Sequence, residues 1–278
     1  MDTNSIKHQF EEIGARVKFG DLRRQVTDSG TFLRIDIKKD KKGEFFQIDS
    51  DGNLPVDILN VDAKDRHLLL LRRKFDRYRT DGSKEVLQAA KFLCGHDETH
   101  WFVAAIPETS RGVNSISAAK QALKPRDVIN VERSAGLTVH KKEAHLHRNA
   151  ARRRQGEWFF VPVSKNFKNI EILHNEPIRR GRGKPHMCEE LVRYGGQTVM
   201  VCSRYPNGIT VQEYDNMIKK DPKIKNFWWN RMTRDMEVFV RGRITHKDHK
   251  TVVLRDWHKV IPNEETKALA MRSVAFLD

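Results

Sequence analysis

Along much of the chain apolar and polar residues alternate with a period of two, the period of a strand with one face buried. Leu33, Ile35 and Ile37 share one face of a segment that turns at 38–43 and returns over 44–48. The same pattern pairs 91–94 with 100–106 across the turn 95–99, and 237–244 with 251–260 across the loop 246–249. Residues 15–19, 56–61, 67–72, 137–139 and 198–202 read as further strands, with Leu68 to Leu71 apolar on both faces. Helical spacing predicts short helices over 5–13, 83–90, 115–123, 186–194 and 210–220, and a last one capped by Asn263 that docks Leu269 and Met271. Thr210 and Glu213 have the spacing of a capping box. Residues 126–136 and 175–185 are expected to be loops, the second for its Pro177, Gly181, Gly183 and Pro185. The expectation is an α+β fold of about ten short, mostly antiparallel strands in hairpins with four or so short helices. Tight turns between neighbouring strands argue against a doubly wound sheet.

The pattern breaks most sharply at 140–163. A run holding His140, Lys141, Lys142, His145, His147, Arg148, Arg152, Arg153 and Arg154 ends at Gly156, and the apolar Trp158-Phe159-Phe160-Val161 follows at once. Unpaired cations cannot be buried, so the first half is expected on a surface directly above a core strand.

Composition adds three limits. Of the 278 residues 38% are hydrophobic and 32% charged, and no 18-residue apolar run exists, so no segment is expected to span a membrane. The first residues lack an apolar signal core, and the three cysteines are dispersed. Both features favour a cytoplasmic chain with free thiols. The net charge is +15, and it is uneven: 1–139 holds 24 Lys and Arg against 21 Asp and Glu, whereas 140–278 holds 28 against 16. That asymmetry predicts a near-neutral, β-rich half over 1–130 and a basic α+β half over 131–278, unless the two form one continuous domain. It also predicts a polyanion partner for the second half.

Nucleic acid, RNA before DNA, is the polyanion these residues suit best. Guanidinium groups grip phosphate through a two-pronged contact at any working pH. Arg148, Arg152, Arg153 and Arg154 supply one such tract, on two faces if 140–154 is helical. Arg179, Arg180, Arg182 and Lys184 supply a second, in a Gly-containing loop without the spacing of a phosphate-binding Walker loop. Trp228, Trp229 and Arg231 lie among lysines 219, 220, 223 and 225, a composition suited to base stacking in a cationic channel. Together these are expected to line one basic groove. A scaffold for an acidic protein would use the same charges.

Catalysis is the alternative. His145, His147, Glu157 and His186 could serve as general acid and base on a phosphodiester. His96, His100, His246 and His249 sit on turns where a divalent metal could bind and activate water, although no spacing of a known metal motif occurs. No motif demands a cofactor.

Overall fold

In a computed structural model of the chain, residues 3–21, 33–50, 56–78, 84–180 and 183–269 are described. The architecture is mixed α+β, with four α-helices and several mostly antiparallel sheets among these residues. No described helix is long and apolar enough to cross a membrane.

The first half opens with α1 (Thr3–Glu12), which places Ile6 and Phe10 one turn apart in the core. Strands β1 (Val17–Asp21), β2 (Leu33–Asp40) and β3 (Gly43–Ser50) form a sheet with β3 central, antiparallel to β2 and parallel to β1. Next come β4 (Val56–Asp62), β5 (His67–Arg72), the hairpin β6 (Phe75–Tyr78) and β7 (Lys84–Leu87), then β8 (Ala90–Asp97) and β9 (His100–Ile106). The hairpin replaces the helix expected over 83–90. β4-β5-β8-β9 form one antiparallel sheet. Its Leu68, Leu70, Phe92 and Cys94 meet α1, Ile35 and Phe46 on one side. Leu69, Leu93, Ala104 and Ile106 are covered on the other by α2 (Ile116–Ala122), so β5 is buried on both faces. Ser115 caps α2 by accepting the Ala118 N–H.

α3 (Arg126–Ser134) stands where a loop was expected. Its inward stripe is Val128, Val131 and Glu132, and a buried glutamate disguises an i, i+3, i+4 pattern. The condition that 140–154 be helical is not met: a single 3₁₀ turn, Lys142–His145, is followed by a bridge from Arg148 to Arg153.

The second half is a six-stranded antiparallel sheet. In chain order its strands are β10 (Arg153–Gln155), β11 (Trp158–Pro162), β12 (Leu173–Ile178) and β13 (His186–Tyr194). An excursion follows, with β14 (Gln197–Cys202), β15 (Tyr205–Thr210), α4 (Val211–Lys220) and β16 (Asn230–Arg234), before β17 (Glu237–Thr245) and β18 (Val252–Pro262) complete the sheet in the order β10-β11-β18-β17-β13-β12. Two expectations fail here. Residues 186–194 are a strand, not a helix: their buried positions Cys188, Leu191 and Val192 do not alternate, and the register against the partner strand shifts there, with Glu189 alone facing Gly242 and Arg243. Residues 175–178 are part of an edge strand, where Pro177 sits exposed and costs no sheet hydrogen bond. The capping box on Thr210 and Glu213 forms, and the final hairpin pairs. After Asn263 only a 3₁₀ turn, Glu264–Lys267, is described, and Met271 lies outside the described residues.

Tyr194 pairs directly with Glu237, so 195–236 is an insertion between two adjacent strands. It leaves the sheet through Gly195 and Gly196, at φ 70° and 91°, a left-handed conformation that glycine adopts without penalty. The two halves also touch: the Thr99 hydroxyl donates to Asp248 O at 2.7 Å, and the Lys250 N–H donates to Glu98 at 2.7 Å. The three cysteines are buried free thiols.

Candidate nucleic-acid interface and histidine centre

Three histidines from two stretches of the chain converge at one end of the six-stranded sheet. The register Met187↔Thr245 sets His186, the first residue of β13, beside His246, the first residue past β17. His249 lies in the same loop. The His186 and His246 rings stack at 4.1 Å with 20° between planes, and His246 and His249 at 4.8 Å with 29°. One nitrogen from each of the three lies within 4.8 Å of the others. The β10–β11 turn closes over them at Gly156, φ 55°, where a Cβ would stand 2.9 Å from His249 Nε2 and 3.4 Å from His186 Cε1. Only glycine fits there.

Hydrogen bonds set the protonation pattern. The buried Gln155 amide donates to Ile244 O at 3.2 Å and to Lys250 O at 2.6 Å. Two carbonyl acceptors fix which end of the amide is nitrogen, so Oε1 is the atom 2.9 Å from His186 Nδ1. His186 therefore donates from Nδ1 and carries its lone pair on Nε2, 3.6 Å from Glu157 Oε2. His246 is the reverse: its Nδ1 accepts the Asp248 N–H at 3.1 Å. His249 Nδ1 is buried without a hydrogen bond, with Glu98 Oε2 3.4 Å away. Burial, then the neighbouring His186 and His249, pushes His246 down to about 4. Burial also lowers His249.

Around this centre lies a polar rim. His100 joins Glu44, 2.6 Å from Nδ1, to Asp248, 3.2 Å from Nε2, and Asp248 also takes Lys184 at 2.8 Å. Asp97 accepts from His147 and, at 2.6 Å, from Arg154. Of the four turn histidines, then, His246 and His249 meet each other and His186. His100 is linked to them through Asp248, and His96 packs edge-on against Trp101. Of the acid–base set, His186 and Glu157 are neighbours. His147 is on the rim, and His145 is elsewhere, 2.8 Å from Val139 O and 3.0 Å from Ser117 Oγ.

The cationic tracts do not build the groove expected of them. Arg152 is 2% exposed, donates to Glu132, Ala144 O and Leu146 O, and lies over the Phe159 ring, so it cannot face a polyanion. Arg153 donates to Asn149 O at 3.2 Å, and Arg154 is taken up by Asp97. Arg180 binds Asn263 and, at 3.1 Å, Glu265, while Lys184 is held by Asp248. Arg148 and Arg179 are exposed, and Arg182 lies outside the described residues. The chain neutralises Arg152, Arg154, Arg180 and Lys184 with carboxylates distant in sequence, which local charge counting does not reveal.

The 195–236 lobe is different. It carries seven Lys and Arg against four Asp and Glu, and among the described residues Lys219, Lys220, Lys223, Lys225 and Arg231 make no ion pair. Phe227 is covered by Arg204 at 4.2 Å. Trp229 stacks on Tyr205 at 5.6 Å, meets Tyr214 edge-on, and donates its indole N–H to Ile224 O at 2.8 Å. Between these two anchored rings Trp228 adopts φ 54° and is 92% exposed. Beside it runs β16, a sheet-edge strand with Asn230, Arg231 and Met232 exposed.

No family model matches the chain, and neither does any curated protein or solved structure.

Proposed function

We propose that the protein binds single-stranded nucleic acid, RNA first, on the 195–236 lobe. One observation carries this reading: Trp228 is held out in solvent by a backbone conformation that costs a bulky residue free energy of order 1 kcal/mol or more. An indole exposed in this way offers a flat face for a base, a contact contributing ~1–3 kcal/mol. Lysines 219, 220, 223 and 225 and Arg231 are free to take phosphates. A duplex hides its base faces, so the lobe favours unpaired strands.

The test is fluorescence anisotropy with a labelled 12-nucleotide single strand and its duplex, using the wild type and Trp228→Ala. The single strand should bind tighter than the duplex, and the variant should lose about tenfold, as expected for one stacked base. Equal affinity of the two proteins would remove the stacking site. Absence of binding at low salt would remove the function.

A further inference from the structure

We propose that His186, His246 and His249 form a binding site for a divalent transition metal, zinc by the chemistry of its donors, with the Glu157 carboxylate completing the set. This inference does not depend on the nucleic-acid reading, since its donors lie outside the 195–236 lobe.

The donors fit in kind. Imidazole nitrogen and carboxylate oxygen suit zinc, and four of them make its preferred tetrahedron. They also fit in orientation. A ligating histidine characteristically donates its other ring N–H to a carbonyl or carboxylate, which aims the free lone pair at the metal. His186 does this through Gln155, leaving Nε2 toward Glu157. His249 has Glu98 placed for the same role at Nδ1, and its Nε2 faces the Gly156 turn beside His186. His246 differs. Its Nδ1 accepts the Asp248 N–H, so ligation through Nε2 moves its proton to Nδ1 and breaks that contact.

The spacing leaves a small closure to make. Three nitrogens at ~2.1 Å from one zinc stand about 3.4 Å apart, against the 4.8 Å within which these lie. His246 and His249 are on the loop between β17 and β18, which can supply that movement, whereas His186 is fixed within a strand. Without an ion the cluster has little to recommend it. The three rings stack face to face, and Gly156 gives up its side chain so that they fit. A cation at their shared edge satisfies the lone pairs together.

The test uses the full chain with any affinity tag removed, since a polyhistidine tag would itself carry metal. Protein purified without added metal and passed through chelating resin is analysed by elemental mass spectrometry. Affinity is then measured by competition with a chromophoric chelator. The wild type should carry one zinc per chain. His246→Asn and His249→Asn, at partly exposed positions, should carry less than about a tenth of that with unchanged circular dichroism. Glu98→Gln should keep the stoichiometry but bind about tenfold more weakly. On titrating zinc into apoprotein, the Asp248 amide resonance should shift. Wild-type protein that neither retains zinc nor binds it on titration would overturn the site, as would His246→Asn and His249→Asn variants that each keep a full equivalent.

Discussion

His186 Nδ1 donates to Gln155 Oε1 at 2.9 Å, and that bond is fixed from the far side, because the Gln155 amide is committed to the carbonyls of Ile244 and Lys250. A single glutamine thus sets the tautomer of a ring that is 1% exposed and ties the β10–β11 turn to the loop after β17. Gln155→Leu leaves one buried donor and two carbonyls without partners and should cost roughly 2–4 kcal/mol. Urea unfolding measures the loss. Long-range ¹H–¹⁵N spectra of metal-free wild-type protein should show His186 protonated on Nδ1; a proton on Nε2 would contradict the assignment.

A second relationship explains why Arg152 does not reach the surface. Glu132 accepts from Arg152 at 2.9 Å and from Lys124 at 2.6 Å, and all three are buried. Burial pushes Arg152 down to about 10, and Glu132 partly offsets the shift. Glu132→Ala strands two buried cations and should cost about 3–5 kcal/mol, whereas replacing all three by apolar residues of similar volume should cost much less. Denaturant midpoints compare the two. Equal losses would show that the pairing is not what the single variant removes.

His67 gives the fold an acid sensitivity. Its ring lies edge-on to Phe102 at 5.6 Å, and a Cβ on Gly95 would stand 2.5 Å from it. Burial, then Lys120, pushes it from 6.5 down to about 4, so the folded state prefers the neutral ring. The contribution is complete above the unfolded value of 6.5. Below it the unfolded chain takes the proton first, and stability is lost as pH falls from 6.5 toward 4. That window is worth about 3 kcal/mol, of which some 2 is lost by pH 5. The fall in stability between pH 7 and pH 5 should be smaller by about that amount in His67→Gln. An identical fall would assign the acid sensitivity to other groups.

What the sequence made legible follows from range. The hairpins β2–β3, β8–β9 and β17–β18 were readable because alternation, turn and return all lie within about twenty residues, and so was the capping box on Thr210. β13 was not, because its buried residues do not alternate where the register against β17 shifts, which leaves HMCEELVRY resembling a helix. The histidine centre was half visible. His186 with Glu157 and His246 with His249 each stood out as candidates, but only the pairing of β13 with β17 joins them. Gln155 carried no signal at all, since its role comes from carbonyls some ninety residues away. The partners of Arg154 and Lys184, namely Asp97 and Asp248, are similarly remote.

Binding on the lobe should depend on salt in proportion to the phosphates engaged. With four contacts on a single strand the slope of log affinity against log salt is about −3, a loss of roughly 50-fold between 50 and 200 mM. Lys223→Glu together with Lys225→Glu should make the slope shallower by more than 1, read by the same anisotropy titration at several salt concentrations. A slope near zero in the wild type would place affinity in something other than phosphate contact.

The most direct test of where nucleic acid sits is a zero-length photo-crosslink from a single strand carrying 5-iodouracil, followed by peptide mass spectrometry. The account predicts adducts on the 226–232 stretch, centred on Trp228. Adducts confined to 140–154 or 179–184, with none on the lobe, would contradict it.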